Sequence, residues 1–373
     1  MITLKGQEIK NQHKDLFKMT KPSLAPFSCQ YTPQIPELLQ QLNCSIAIST
    51  YQAGKVVFIS AKDENSLIQL PRNFEKAMGI AEDKKNDKIA IACKDEVVVF
   101  SNSPELALFY PKAPNKYDSL YMPRNTFHTG AIDIHDLSFG NDGKLYAVNT
   151  LFSAIVQIDD NYNFTPYWKP DFIDRIVSED RCHLNGMAMK NGKPKYATAF
   201  NKGNSAQSWR KDITKTGVLI DVEENKIITD GLAMPHTPRI FNNELYLLLS
   251  AKGELIKVNT QNGDYEVILK IDGFVRGMCL CNDYLFIGLS KLRKNSSTFS
   301  QLPFAEKANE AWIIIIHLPT KSITGKISYL TSLDEIYDIH ILENKKRPNI
   351  LNTMSDDHKD GLMIPNTTFW RKE

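Results

Sequence analysis

The chain has 373 residues, 45 Lys and Arg against 43 Asp and Glu, a formal net charge of +2, and 42% hydrophobic residues. That length allows one large repeat array or two to three ordinary domains, and the apolar share excludes disorder over most of it. The near-neutral balance, with no basic stripe, argues against a nucleic-acid binder, and no apolar run reaches the roughly 18 residues of a membrane helix.

Residues 1–34 read as a loosely attached extension. Residues 1–21 are polar and Lys-rich without an apolar core, so no secretory signal is expected there. Residues 35–42 read as a short helix with Pro36 in its first turn. Residues 45–50, 56–60 and 66–70 read as three strands with no inner partner of their own. From Gly79 onward one pattern recurs: a short apolar run, a polar turn of Asn, Asp or Gly, then an alternating apolar strand. Such turns tolerate positive φ and join hairpins. The anchors Gly79, Asp136, Gly186, Pro238, Gly277 and Asp338 lie roughly 40–60 residues apart, near the length of a four-stranded propeller blade. No long helical pattern lies between them, so a βαβ reading loses.

After the sixth anchor too little chain remains for three outer strands. The three unpartnered N-terminal strands supply them, which removes an open sheet edge. The expectation is an all-β, six-bladed β-propeller in residues 35–351, with N-terminal strands completing the last blade. Seven blades is the alternative, should those strands acquire an inner strand. Residues 352–373 read as a tail. The stretch 110–133 reads as a long loop containing Tyr121, Arg124 and His128. The six cysteines match no zinc or thioredoxin spacing and mostly sit in apolar runs, so reduced thiols and a cytoplasmic location are expected.

In a propeller, the start of each inner strand and the turn between the second and third strands share one face of the disc. That brings His135, His183, His236, Asn185, Arg276, Glu335, Tyr337 and Asp338 together with Tyr51, Gln52, Lys55, Asn149, Arg210, Lys291 and Arg293. The expected locus is a polar funnel. Asp136 and Asp338 also read as caps for backbone N–H groups between blades. His340 faces either the channel or a neighbouring sheet, and His317 reads as structural.

The strings Ser49-Thr50-Tyr51-Gln52-Ala53-Gly54-Lys55, Asp133-Ile134-His135-Asp136, Cys182-His183-Leu184-Asn185-Gly186, Met234-Pro235-His236-Thr237-Pro238-Arg239 and Gly288-Leu289-Ser290-Lys291 resemble those of a bacterial family of conserved hypothetical β-propeller proteins. That resemblance implies the propeller fold and no activity. A fainter, fold-level similarity to gluconolactonase-like propellers implies a divalent cation on residues such as Asn185, Glu335 and Asp338. The histidines and Arg276 depart from that pattern.

Two functions compete. One is an enzyme, a lyase, hydrolase or isomerase, acting on a small polar or anionic substrate. His135, His183, His236, Tyr337 and Asp338 would do the acid–base work. Tyr51, Gln52, Lys55, Asn149, Asn185, Arg210, Arg276, Lys291 and Arg293 would bind the substrate. In a metal-assisted variant His135, His183 and His236 ligate a divalent ion. The other is a non-catalytic propeller binding a protein, peptide or glycan through rim aromatics Tyr121, Trp168, Trp209 and Phe299.

Overall fold

The computed structural model describes residues 24–292 and 310–371. Six sheets stand in a ring, a six-bladed β-propeller. The inner strands are Ile80–Asp83, Ile134–Phe139, Leu184–Lys190, Pro235–Phe241, Phe274–Cys281 and Asp338–Glu343. Each touches the next, and the sixth touches the first, which closes the circle. We number the blades one to six in that order.

Closure follows the pattern expected from the sequence. Cys44–Thr50 pairs antiparallel with Asp338–Glu343, with Ile46 opposite Ile341 and Ser49 opposite Asp338. Lys55–Ala61 and Leu67–Asn73 then complete the sixth blade. No seventh inner strand occurs among the described residues.

Alternation along each strand decides which seam a side chain fills. Val56 and Phe58 pack into the seam with blade one, while Val57 and Ile59 pack into the seam with blade five. Every seam holds its own apolar cluster. Burying one such side chain contributes about 1.5–3 kcal/mol relative to exposure. The seams therefore carry most of the stability, and the sheets must be apolar on both faces.

Polar groups then fix how the blades meet. The corresponding positions around the ring are Gly79, Asp136, Gly186, Thr237, Gly277 and Asp338, a glycine alternating with a side chain that can accept. Asp136, Thr237 and Asp338 accept backbone N–H bonds from Met187, Gly277 and Ile80 of the following blade, at 2.9, 3.1 and 3.0 Å. The glycines admit the next backbone. A Cβ on Gly277 would lie 2.8 Å from Asp338 Cα, at φ +68°. Gly277→Ala is expected to cost about 2 kcal/mol or more, from left-handed strain plus overpacking. A shift in the denaturant midpoint measures it, and an unchanged midpoint would show that the ring yields.

Hydroxyls form a second set of latches at the ends of the second strands. Ser49, Thr150, Ser250 and Ser290 donate to Met78, Leu184, Val275 and Ile336 carbonyls of the next blade.

The terminal segments cover edges. Cys29–Tyr31 adds a fifth strand beside Ser322–Tyr329 of blade five, although residues 1–34 are expected to be only loosely attached. Pro348–Ile350 runs parallel to Ser119–His128, the outer strand of blade one. Gly361–Ile364 and Thr367–Trp370 form a hairpin. Pairing of this kind blunts sheet edges.

The stretch 110–133 is therefore not simply a loop. Pro123 obscures its pattern, and the register shifts at Val99/Phe100 where Pro123 pairs. Tyr121 is buried in a seam cluster, and Trp168, at the end of an outer strand, is half-buried against the cluster between blades two and three. Phe299 lies outside the described residues.

Candidate functional site

The channel mouth opens into a cavity of about 370 Å³. Inner strands and the residues that lead into them contribute Met78, Asp133, His135, His183, Met234, His236, Phe274, Arg276, Glu335 and Tyr337 to its lining. The other walls include Tyr51, Gln52, Phe200, Trp209, Arg210 and Lys291. Two wider grooves elsewhere, about 600 and 1040 Å³, are lined by other segments and share no residue with it.

Local backbone geometry builds the wall. Asp133, His183 and Met234 each directly precede an inner strand and adopt left-handed φ of 59°, 50° and 53°. Non-glycine residues in this region are uncommon and gather at functional sites. The carbonyl of each then meets the side chain two residues later. His135 Nδ1 lies 3.2 Å from Asp133 O, Asn185 Nδ2 3.1 Å from His183 O, and His236 Nδ1 3.1 Å from Met234 O. His135, Asn185 and His236 are thus equivalent positions in successive blades. His183 is not equivalent to the other two histidines. It starts two residues earlier and joins them from above.

These bonds assign tautomers. A carbonyl only accepts, so His135 and His236 carry their proton on Nδ1. Ser250 Oγ is 2.7 Å from His236 Nδ1 and donates to Val275 O, so it too accepts from the imidazole. His183 Nδ1 sits 3.0 Å from Asp180 Oδ2, which also accepts from Trp209 Nε1 at 2.8 Å. In His135 and His236 Nε2 is left as the unprotonated nitrogen, and none of the three Nε2 atoms has a protein partner among the described residues.

The electrostatics keep two imidazoles neutral. Burial lowers the His135 pKa to about 4, with Asp133 opposing and His183 and Arg276 assisting. Burial, then Arg276, holds His236 well below the ordinary imidazole value. Burial pushes the Tyr337 phenol well above its usual range, so it keeps its proton and can donate. The Arg276 guanidinium stacks on Tyr337 at 3.9 Å and meets Glu335 through one long contact of 3.4 Å. Stacking fixes the plane of the guanidinium fork, and a single long contact leaves donors for a ligand.

Several expected site residues lie elsewhere. Asp338 accepts from Ile80 N and Ile339 N, so its carboxylate joins blades and lies outside this lining. Asn185 is consumed by His183 O and Thr198. Lys55 turns outward to Asn73. Asn149 accepts from Phe152 N, away from the lining. Arg293 lies outside the described residues, as does most of the long turn that carries it. His340 meets Glu82 of blade one, and His317 meets Thr320. Asp180 is a residue the strand-start argument misses. Its three-residue spacing from His183 within a turn is the available signal.

No group of three or more His, Cys, Asp or Glu side chains among the described residues is placed to hold an ion. Phe200 stands between His183 and His236, with ring centroids 4.6 and 5.0 Å away. The fixed positive charge of Arg276 also depresses protonation of both His135 and His236, and it would oppose a cation in the same place. The cation set Asn185, Glu335 and Asp338 fails because two of its members are committed to the bonds above.

With fold and cavity in place, comparison becomes informative. Residues 33–351 match the domain of unknown function DUF4915. The chain belongs to this family. The DUF4915 domain therefore spans the propeller and its whole funnel. No curated protein matches the chain. Among solved structures, a chain from the nidogen/laminin complex is 11% identical with a TM-score of 0.49, covering 81% of this chain and 99% of its own. A protein of unknown function from Bacteroides caccae is 10% identical with a TM-score of 0.49, covering 80% and 98%. Among the described residues, no helix is long and apolar enough to cross a membrane.

Proposed function

We propose that the funnel binds a small polar anion and performs acid–base chemistry on it, as a lyase, hydrolase or isomerase would. The observation that carries this reading is the convergence of opposite hydrogen-bonding roles in one partly enclosed cavity. The Nε2 atoms of His135 and His236 accept, and Arg276 and Tyr337 donate. Arg276 binds the anion through its fork. Arg210 and Lys291, exposed at the rim, draw it in. His183 is the general base: Asp180 orients its ring by holding the Nδ1 proton, and Nε2 takes a proton from the substrate. Tyr337 stabilises negative charge developing beside Arg276.

The test pairs binding with turnover. Calorimetry with a panel of small carboxylates, sulfates and phosphates is expected to find a ligand that Arg276→Met weakens at least ten-fold. With that ligand, Asp180→Asn is expected to slow turnover on the order of 10²-fold while leaving binding within a few-fold. Binding without turnover would leave the propeller a binding module. No anion bound by the wild type would end the reading altogether.

A further inference from the structure

The hydrogen-bond roles in the cavity say more than that an anion binds. Resting on the reading above, we infer that the ligand is a hydroxylated carboxylate, whose carboxylate meets Arg276 and whose hydroxyls donate to the Nε2 atoms of His135 and His236. Each Nδ1 is already committed to Asp133 O, Asp180 or Met234 O, so the rings cannot switch tautomer without breaking a bond. The neutral imidazoles of His135 and His236, with fixed tautomers, offer lone pairs. Lone pairs repel the bare oxygens of phosphate or sulfate and reward O–H groups.

Charge narrows the class further. Half-buried Arg276 lines the cavity with these rings, and Glu335 offsets part of its charge. That balance suits one carboxylate better than a doubly charged phosphate. A ligand ammonium would be left only the partly exposed Asp133, since the other two carboxylates of the lining are occupied. Asp180 holds His183 and Trp209, and Glu335 holds Arg276. Hydroxyl donors therefore fit the free acceptors better than charged amines do. The aromatic face of Phe200, packed against both His183 and His236, gives the carbon skeleton a dry wall.

A ligand matrix on the full-length wild-type protein tests the inference by calorimetry. The probes are a six-carbon polyhydroxy carboxylate, hexanoate, the corresponding neutral hexitol, and inorganic phosphate. The expected result is that the polyhydroxy carboxylate binds at least ten-fold more tightly than each of the others. Arg276→Met should abolish its advantage over the hexitol, and His135→Phe its advantage over hexanoate. Should His135→Phe fold poorly, the wild-type matrix still decides. Equal binding of hexanoate and the polyhydroxy acid would overturn this inference and leave the anion-binding funnel standing. Preference for phosphate would do the same. Binding of none of the four probes, alongside a ligand from the wider panel above, would also overturn it. Failure of both sets would overturn the parent reading too.

Discussion

Asp136→Ala is expected to destabilise the propeller by about 3–5 kcal/mol, the range for breaking a buried ion pair from one side. Asp136 has four donors. Its Oδ1 accepts from Leu137 N at 2.9 Å and Arg239 Nη2 at 3.0 Å. Its Oδ2 accepts from Met187 N at 2.9 Å and Arg239 Nη1 at 2.8 Å. Burial opposes the charge of Arg239, yet the Asp136 carboxylate beside it pushes the guanidinium pKa up. Alanine would leave that cation buried and the Met187 N–H orphaned at the seam between blades two and three. The double variant Asp136→Ala/Arg239→Met should recover part of the loss, because it removes the stranded charge. Denaturant titration of both variants checks this. A single-variant loss under about 1 kcal/mol would mean that Arg239 escapes to solvent and the seam does not depend on the pair.

Acid is expected to weaken the fold through the same imidazoles that line the funnel. His135 has its pKa lowered to about 4, against about 6.5 for an unfolded histidine. Between these values the unfolded chain binds the proton and the folded chain does not. Stability from this group is therefore complete above about pH 6.5 and falls as pH drops toward 4. A displacement of about 2.5 units corresponds to about 3 kcal/mol. His236 shifts in the same direction and adds to the loss. Asp338 works the other way, since burial raises its pKa and the folded state takes up that proton first. Unfolding free energies measured from pH 7 to pH 4.5 should show the decline, with a shallower slope in His135→Gln. An identical slope in that variant would remove His135 as the cause.

The fold was largely legible because propeller seams leave a periodic mark. Burying both faces of each sheet demands apolar alternation, and tight hairpins demand Asn, Asp or Gly, so six copies of one pattern stand out. The orphan strands at 45–50, 56–60 and 66–70 then had one place to go. Even the capping role of Asp136 and Asp338 follows from their position beside the glycine-containing ring. The outer strand Ser119–His128 was missed because Pro123 interrupts its pattern, and its partner Pro348–Ile350 lies more than two hundred residues away.

The site was legible only as a neighbourhood. Strand starts predict which residues share a face, and His135, His183, His236, Arg276, Tyr51, Gln52, Arg210, Lys291 and Tyr337 do meet in one cavity. Position along a strand does not say which way a side chain is held. Asn185 and His236 occupy equivalent positions, yet one amide is spent on the neighbouring strand and one imidazole keeps a nitrogen for the cavity. His183 looked like a third equivalent histidine until the left-handed turn set it apart.

The sequence by itself determined the repeat, the N-terminal strands that close the ring and which titratable groups share a face, because these follow from periodicity and from the geometry common to propellers, while the structure settled six blades over seven. Only the tertiary structure decided the roles. The stacking of Arg276 on Tyr337 and the bond from Trp209 to Asp180 depend on contacts between segments distant in the chain, whereas the Nδ1 partners of the three histidines lie two or three residues away and are set by the local turns before the strands. Burial and the charge of Arg276, which shift the pKa of His135 and His236, come from packing between blades, and no local pattern of residues encodes them.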